Sequence, residues 1–289
     1  MVALLMTVGL AQAVASAAPD SGDFTVSTQS GYTFDDGQGI LHITDDGAYT
    51  ISMKSSGTTT NQGILVDVGV QATITLDNLS IDRGAAADQA AWAVAENSTG
   101  DVSLVLRGRN VLIGGSNCAG LQKGCTHGEE NCGCGTLTIR CEQAGSGHDC
   151  QASTCGALTA TGGVAGAGIG GGVNQNGVRI SILGGMITAN AGRDAAGIGG
   201  GRGSNAYGDG RYLKVAGGVV KAFGNAGGAG IGGGNNGHGG NVTINGGDVT
   251  ATGQGGGAGI GGGSNGYNAA TGNGATVTVN DGKVNATGG

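Results

Sequence analysis

The sequence predicts an all-β chain wound as a β-solenoid, a single-stranded parallel β-helix in which each coil stacks on the one before. Three observations predict it. The phrase Ala-Gly-Ile-Gly-Gly-Gly occurs at 167–172, 196–201, 229–234 and 258–263, in steps of 29, 33 and 29 residues, and self-similarity at such a period is the signature of a solenoid. Each copy is followed by a second phrase that reads strand, corner, strand: Ile180 to Ala189, Leu213 to Ala222, Val242 to Ala251 and Val277 to Ala286. Within it apolar and small polar residues alternate, the period of strands with one buried face. Finally, the chain has 68 glycines and one proline among its 289 residues. Glycine at that density excludes a helical solenoid, since each one disfavours a helix interior by about 1 kcal/mol.

Inward positions are then Val242, Ile244, Val249 and Ala251, with the lone isoleucine of each glycine phrase supplying a third short strand. Ser181, Lys214, Thr243 and Thr278 form one outward column, and Thr188, Lys221, Thr250 and Asn285 a second. The flanking glycines let neighbouring backbones approach and turn.

In chain order, residues 1–17 read as a secretory signal peptide: Val2 to Val14 are apolar and lead to Ala15-Ser16-Ala17, a small-x-small cleavage site. Residues 18–62 hold short strands at Phe24, Tyr32, Ile40 and Tyr49 and are assigned to an N-terminal cap, because a solenoid needs a terminal unit over its first open coil. The β-helix occupies 63–289. Counting first strands at Ile64, Ala93, Leu121, Ile169, Ile198, Ile231 and Ile260 gives about seven coils, the early ones lacking the glycine phrase. Asp77 and Arg107 fall one coil apart and are expected to meet as a surface ion pair.

A cysteine-rich insertion spans 117–156. It carries all seven cysteines: Cys118, Cys125, Cys132, Cys134, Cys141, Cys150 and Cys155. In an exported chain clustered cysteines point to disulfides, and an odd count leaves one over. The alternative is zinc held by Cys125, Cys132 and Cys134 with His127 or His148, although these spacings match no standard zinc pattern.

A net charge of −7 argues against nucleic acid and anionic membrane surfaces as partners. Candidate chemistry is sparse. A glycosidase needs two carboxylates within about 5 to 9.5 Å, yet Asp194, Asp209, Asp248 and Asp281 occupy different registers. No lysine follows the glycine phrase to make a phosphate loop. What the loops do offer is Asn205, Tyr207, Asp209, Asn235, Asn236, His238, Asn265 and Tyr267. Amides, hydroxyls and tyrosine rings suit sugars, which present hydroxyls and an apolar face. Tight turns also demand asparagine and glycine, so each residue has a purely structural explanation as well.

The stretch from Tyr32 through Ile51, the runs Thr60 to Ile64, Ala72 to Leu76, Cys118 to Lys123 and Gly156 to Gly163, and the AGIGGG repeats together resemble secreted right-handed β-helix proteins of anaerobic bacteria that carry carbohydrate-binding domains. The resemblance implies a right-handed coil, attachment at the cell surface and, in related β-helices, calcium-dependent recognition of acidic plant polysaccharide. The expected function is therefore an extracellular carbohydrate-binding or adhesive module without catalytic residues and without membrane insertion. Its partner would be a polysaccharide or cell-surface glycan, and calcium at Asp209 would bridge the acidic protein to an acidic polymer. The alternatives are a polysaccharide lyase or hydrolase on the same coil, and a passive stalk.

Overall fold

The computed structural model describes residues 18–86, 88–126, 133–143, 150, 155–203, 208–264 and 273–289. All of the regular structure there is strand, gathered into one continuous, mainly parallel system of 23 strands. A beta-helix results, because from the second coil onward each coil contributes to three parallel ladders.

The first ladder stacks Ile40–Ile43, Gly63–Val66, Trp92–Val94, Leu121–Cys125, Ile169–Gly170, Ile198–Gly199, Ile231–Gly232 and Ile260–Gly261. We number the coils one to eight by these strands. The second ladder begins with Gly47–Met53 and passes through Val102–Arg107, Leu137–Cys141, Asn176–Ile182 and Gly210–Val215. The third includes Arg109–Ile113, Ala157–Thr161, Met186–Asn190 and Val219–Phe223. In the last two coils the second and third strands run together as Asn241–Thr252 and Thr276–Thr287, with a register shift at the corner.

The segment assigned to a cap divides in two. Phe24–Val26 and Tyr32–Asp35 pair antiparallel with the strands beside them. Ile40–Ile43 and Gly47–Met53 run parallel to the coil above and form a coil of their own, so the first ladder has one more member than the seven counted from the sequence. That coil lacks the glycine phrase, and without the phrase its repetition is hidden.

The core is a set of stacked columns. Ile169, Ile198 and Ile231 lie in register and are at most 2% exposed. Val242, Ile244 and Val249 are buried, as the alternation predicts. Each buried aliphatic side chain of this size contributes about 1.5–3 kcal/mol. Asp77 and Arg107 are in register and paired at 3.4 Å, and Arg107 also grips Glu142. No helix among the described residues is long and apolar enough to cross a membrane.

Candidate functional site

The second strand of coils five and six bends near its start. There Arg179 and Tyr212 adopt left-handed backbone, with φ of 53° and 55°. For a residue with a large side chain this conformation costs about 1–2 kcal/mol, and it is uncommon outside glycine, asparagine and aspartate. In coil seven the left-handed residue is Gly240 at φ 61°, one place earlier, while Asn241 stands in register with Tyr212. Two neighbouring coils thus place bulky left-handed residues at a register where coil seven has Asn241 without a positive φ. The parallel pairing passes over the two residues, joining Val178 to Arg211 and Ile180 to Leu213 on either side. Irregularities of this kind re-aim side chains. Here they bring the Arg179 guanidinium over the Tyr212 ring, 5.7 Å from its centroid, within the range of a cation–π contact.

Arg179 and Tyr212 wall an open hollow of about 450 Å³ on the second-ladder face. Its polar lining continues through Thr136, Ser181, Lys214, Asn241, Thr243 and Asn245, over a floor to which Ile180 and Leu213 contribute. Ser181, Lys214 and Thr243 belong to the outward column read from the sequence, and the register stacks them directly. Among the described residues neither Arg179 nor Lys214 has a carboxylate partner. The Nε of Arg179 is buried and finds no acceptor there. The hollow is therefore a cationic strip on a protein whose net charge is −7.

A second hollow of about 170 Å³ shares Tyr212 and Asn241 with the first and adds Asp209, Arg211 and His238. A column of side chains ties these coils together at its edge. Asn176 Oδ1 accepts the backbone N–H groups of Gly208 and Asp209, both at 2.9 Å. Asp209 Oδ1 accepts the His238 N–H at 2.6 Å, and His238 Nδ1 accepts that of Asn273 at 2.7 Å. The other oxygen of Asp209 takes both Nε and Nη2 of Arg211, at 3.0 and 2.5 Å. Its side chain is fully buried, so one carboxylate oxygen holds coil six against coil seven and the other holds Arg211 of its own coil.

A family model described as a beta helix repeat matches residues 180–202 and 242–264. The chain is similar to that repeat over these two stretches, which begin at equivalent places, Ile180 and Val242, two coils apart in the second ladder. No curated protein and no solved structure matches the chain.

The first of the matched stretches starts directly after Arg179, so the beta helix repeat supplies the frame and the bent residue precedes it. Of the loop residues singled out by sequence, the structure brings Asp209 and His238 to the smaller hollow. Asn235 and Asn236 lie in the turn after the third glycine phrase; Asn236 is left-handed at φ 63°, and its side chain reaches the Gly203 carbonyl at 3.4 Å. Neither lines a hollow described above. Asn205, Tyr207, Asn265 and Tyr267 lie outside the described residues. Sequence reasoning missed Arg179 and Tyr212. A signal was present in their aligned positions, each immediately before an inward aliphatic residue, Ile180 and Leu213, but nothing in the residue types announces a left-handed backbone.

The cysteines sort into groups, without an S–S bond among the described residues. Cys125 and Cys134 bring their sulfurs to 2.9 Å beside Val178. Cys141, Cys150 and Cys155 converge between coils four and five. Cys118 is buried apart from both groups, and burial pushes its thiol up to about 11. Cys132 lies outside the described residues, as do the zinc-ligand candidates His127 and His148. The expected disulfides, with one cysteine left over, are not formed among the described residues, where the sulfurs meet at 2.9 to 3.8 Å as thiols. Burial, followed by the thiols' mutual contacts, raises the pKa of Cys155; burial also raises that of Cys150.

Proposed function

We propose that this chain is an extracellular carbohydrate-binding or adhesive module. The reading is that its second-ladder face between coils four and seven holds an extended acidic polysaccharide on Arg179, Tyr212 and Lys214. The observation that carries it is the pair of left-handed residues at one register, which gives up backbone stability to place a cation over an aromatic ring in an open hollow. Strain of this kind clusters at sites of function. Tyr212 offers a face to a sugar ring, Arg179 and Lys214 offer charge to uronate carboxylates, and Ser181, Thr243 and Asn245 offer hydrogen bonds to hydroxyls. An open groove running across several coils suits a polymer better than a small ligand.

Direct contact with cations makes calcium unnecessary at this face. Asp209 in turn serves as a structural tie, since Arg211 and the His238 N–H occupy its oxygens. Binding is favoured over hydrolysis because, among the described residues, Asp209 is the single carboxylate residue lining the two hollows, whereas glycoside hydrolysis ordinarily uses two. The test is retention of the full chain on immobilised polygalacturonate and on a neutral glucan, with calcium and with chelator. Retention on the acidic polymer that survives chelator and weakens with salt is expected. Retention abolished by chelator would restore a calcium bridge through the loops, retention on the neutral polymer alone would remove the role of charge, and release of unsaturated or reducing ends would make the protein an enzyme.

A further inference from the structure

We infer that Cys141, Cys150 and Cys155 form a binding site for one thiophilic d10 metal ion, Zn²⁺ or Cu⁺, set between the fourth and fifth coils. The three sulfurs come from separate parts of the chain. Cys141 ends the strand Leu137–Cys141, Cys155 stands two residues before the strand Ala157–Thr161, and Cys150 belongs to the connection between them. Cys141 Sγ lies 3.8 Å from that of Cys150 and 3.2 Å from that of Cys155, and all three sulfurs fall within 4.8 Å of one another. Three thiolates bound to one zinc at about 2.3 Å in tetrahedral geometry hold their sulfurs about 3.8 Å apart. The observed triangle therefore needs only small side-chain rotations to close on an ion.

Two features of the next coil face this triangle. The backbone N–H of Gly185 donates to Cys150 Sγ at 3.1 Å, a contact of the kind that orients ligands and steadies thiolate charge around a metal. The side chain of Met186 packs against the cluster. Its register partners in the following coils are Val219, then Asp248, then Lys283, so the thioether occurs at this corner in the coil that meets the thiols. Thiolate and thioether sulfur together select soft d10 ions over calcium or magnesium. The three cysteines are at most 9% exposed and Met186 is half-buried beside them. An ion there would bind the insertion to the body of the coil, independently of any glycan at the second-ladder face.

The experiment is native mass spectrometry of the full chain, reduced and freed of metal, after addition of Zn²⁺ or of Cu⁺ under anaerobic conditions. The result expected is one tightly held ion per chain, with Co²⁺ giving the intense near-ultraviolet charge-transfer band of thiolate ligation. Cys150→Ser should weaken zinc binding by about tenfold or more, a loss that even partners outside the ligand set produce. The double variant Cys125→Ser/Cys134→Ser should leave it unchanged. Failure of the reduced parent chain to hold either ion, binding that survives Cys150→Ser, or binding lost in the Cys125→Ser/Cys134→Ser variant would overturn the assignment. So would a Cys141–Cys155 disulfide in chain isolated without reductant, if reduction restored no affinity for either ion. The parent measurement needs no substitution and overturns the assignment if no ion is held, even where a variant fails to fold.

Discussion

The coils before residue 162 and those after it close the same ladder by different means. In coils two to four the first strand is three to five residues long, and Ile64, Trp92 and Leu121 fill its interior at 2% exposure or less. In coils five to eight that strand shrinks to an isoleucine and a glycine. Gly170, Gly199 and Gly232 there have φ of 132–134°, and a Cβ on any of them would stand 2.0 Å from the carbonyl oxygen of the next coil. At this ladder the early coils are closed by side-chain volume, and the late coils by one isoleucine each and a close backbone contact at the glycine after it. Volume can be exchanged between residues, whereas a close approach of backbones admits glycine alone.

The sharpest way to break this contrast is Gly199→Val. A side chain must then displace the backbone of Gly232 and adopt a φ of 134°, so a loss above about 4 kcal/mol is expected, in the range reserved for gross steric or electrostatic faults. Thermal unfolding checks it, and a variant that melts like the parent would end the claim that a close backbone contact closes this ladder in the late coils. In the early half, Trp92→Ala should cost about 3–5 kcal/mol through the cavity it leaves. Trp92→Phe should recover most of that, because the buried indole N–H finds no acceptor among the described residues and no hydrogen bond is lost. If phenylalanine is as damaging as alanine, volume is not what this half requires.

The second-ladder face gives a smaller effect of mixed sign. Tyr212→Gly relieves a left-handed strain of about 1–2 kcal/mol while adding up to about 1 kcal/mol of glycine entropy and losing ring contacts. The melting temperature should therefore stay close to that of the parent as retention on polygalacturonate falls. A large drop in stability with retention intact would make Tyr212 structural. The smallest effects belong to the surface and to the isolated thiol. Arg107→Ala, at an exposed ion pair, should leave the melting temperature unchanged at high salt, where screening removes the little such pairs contribute. Cys118, with its pKa raised to about 11 by burial, holds less thiolate at pH 8 than an ordinary cysteine and should escape alkylation in the native chain; rapid labelling would place it at the surface.

Much of this architecture was legible because repetition writes the same constraint several times. The isoleucine of each glycine phrase had to be the inward residue, and the alternation in Val242 to Ala251 fixed which face is buried. Coil one escaped because Ile40 and Tyr49 stand outside any repeated phrase, so their strands read as a cap. The site was less legible. Lys214 was visible as a member of an outward column, but the bend at Arg179 and Tyr212 is a property of backbone geometry that neither side chain advertises. Asp209 looked like a cation ligand because sequence shows a carboxylate without its donors; the Arg211 guanidinium and the His238 N–H that occupy it become apparent once the coils are stacked. The cysteines could be counted but not grouped, since Cys150 and Cys155 meet Cys141 through a connection whose path has no repeat to follow.

The most direct test of the central claim is calorimetric titration of a galacturonate oligomer into the parent chain and into Arg179→Gln/Lys214→Gln, both in chelator at low ionic strength, with a thermal melt of each as control. A cationic strip predicts measurable binding by the parent that weakens as salt rises, and binding at least about tenfold weaker in the double variant, given that each charge-assisted hydrogen bond contributes about 1.5–3 kcal/mol. Equal affinity in the two proteins, or affinity that arises in the parent only when calcium is restored, would contradict it.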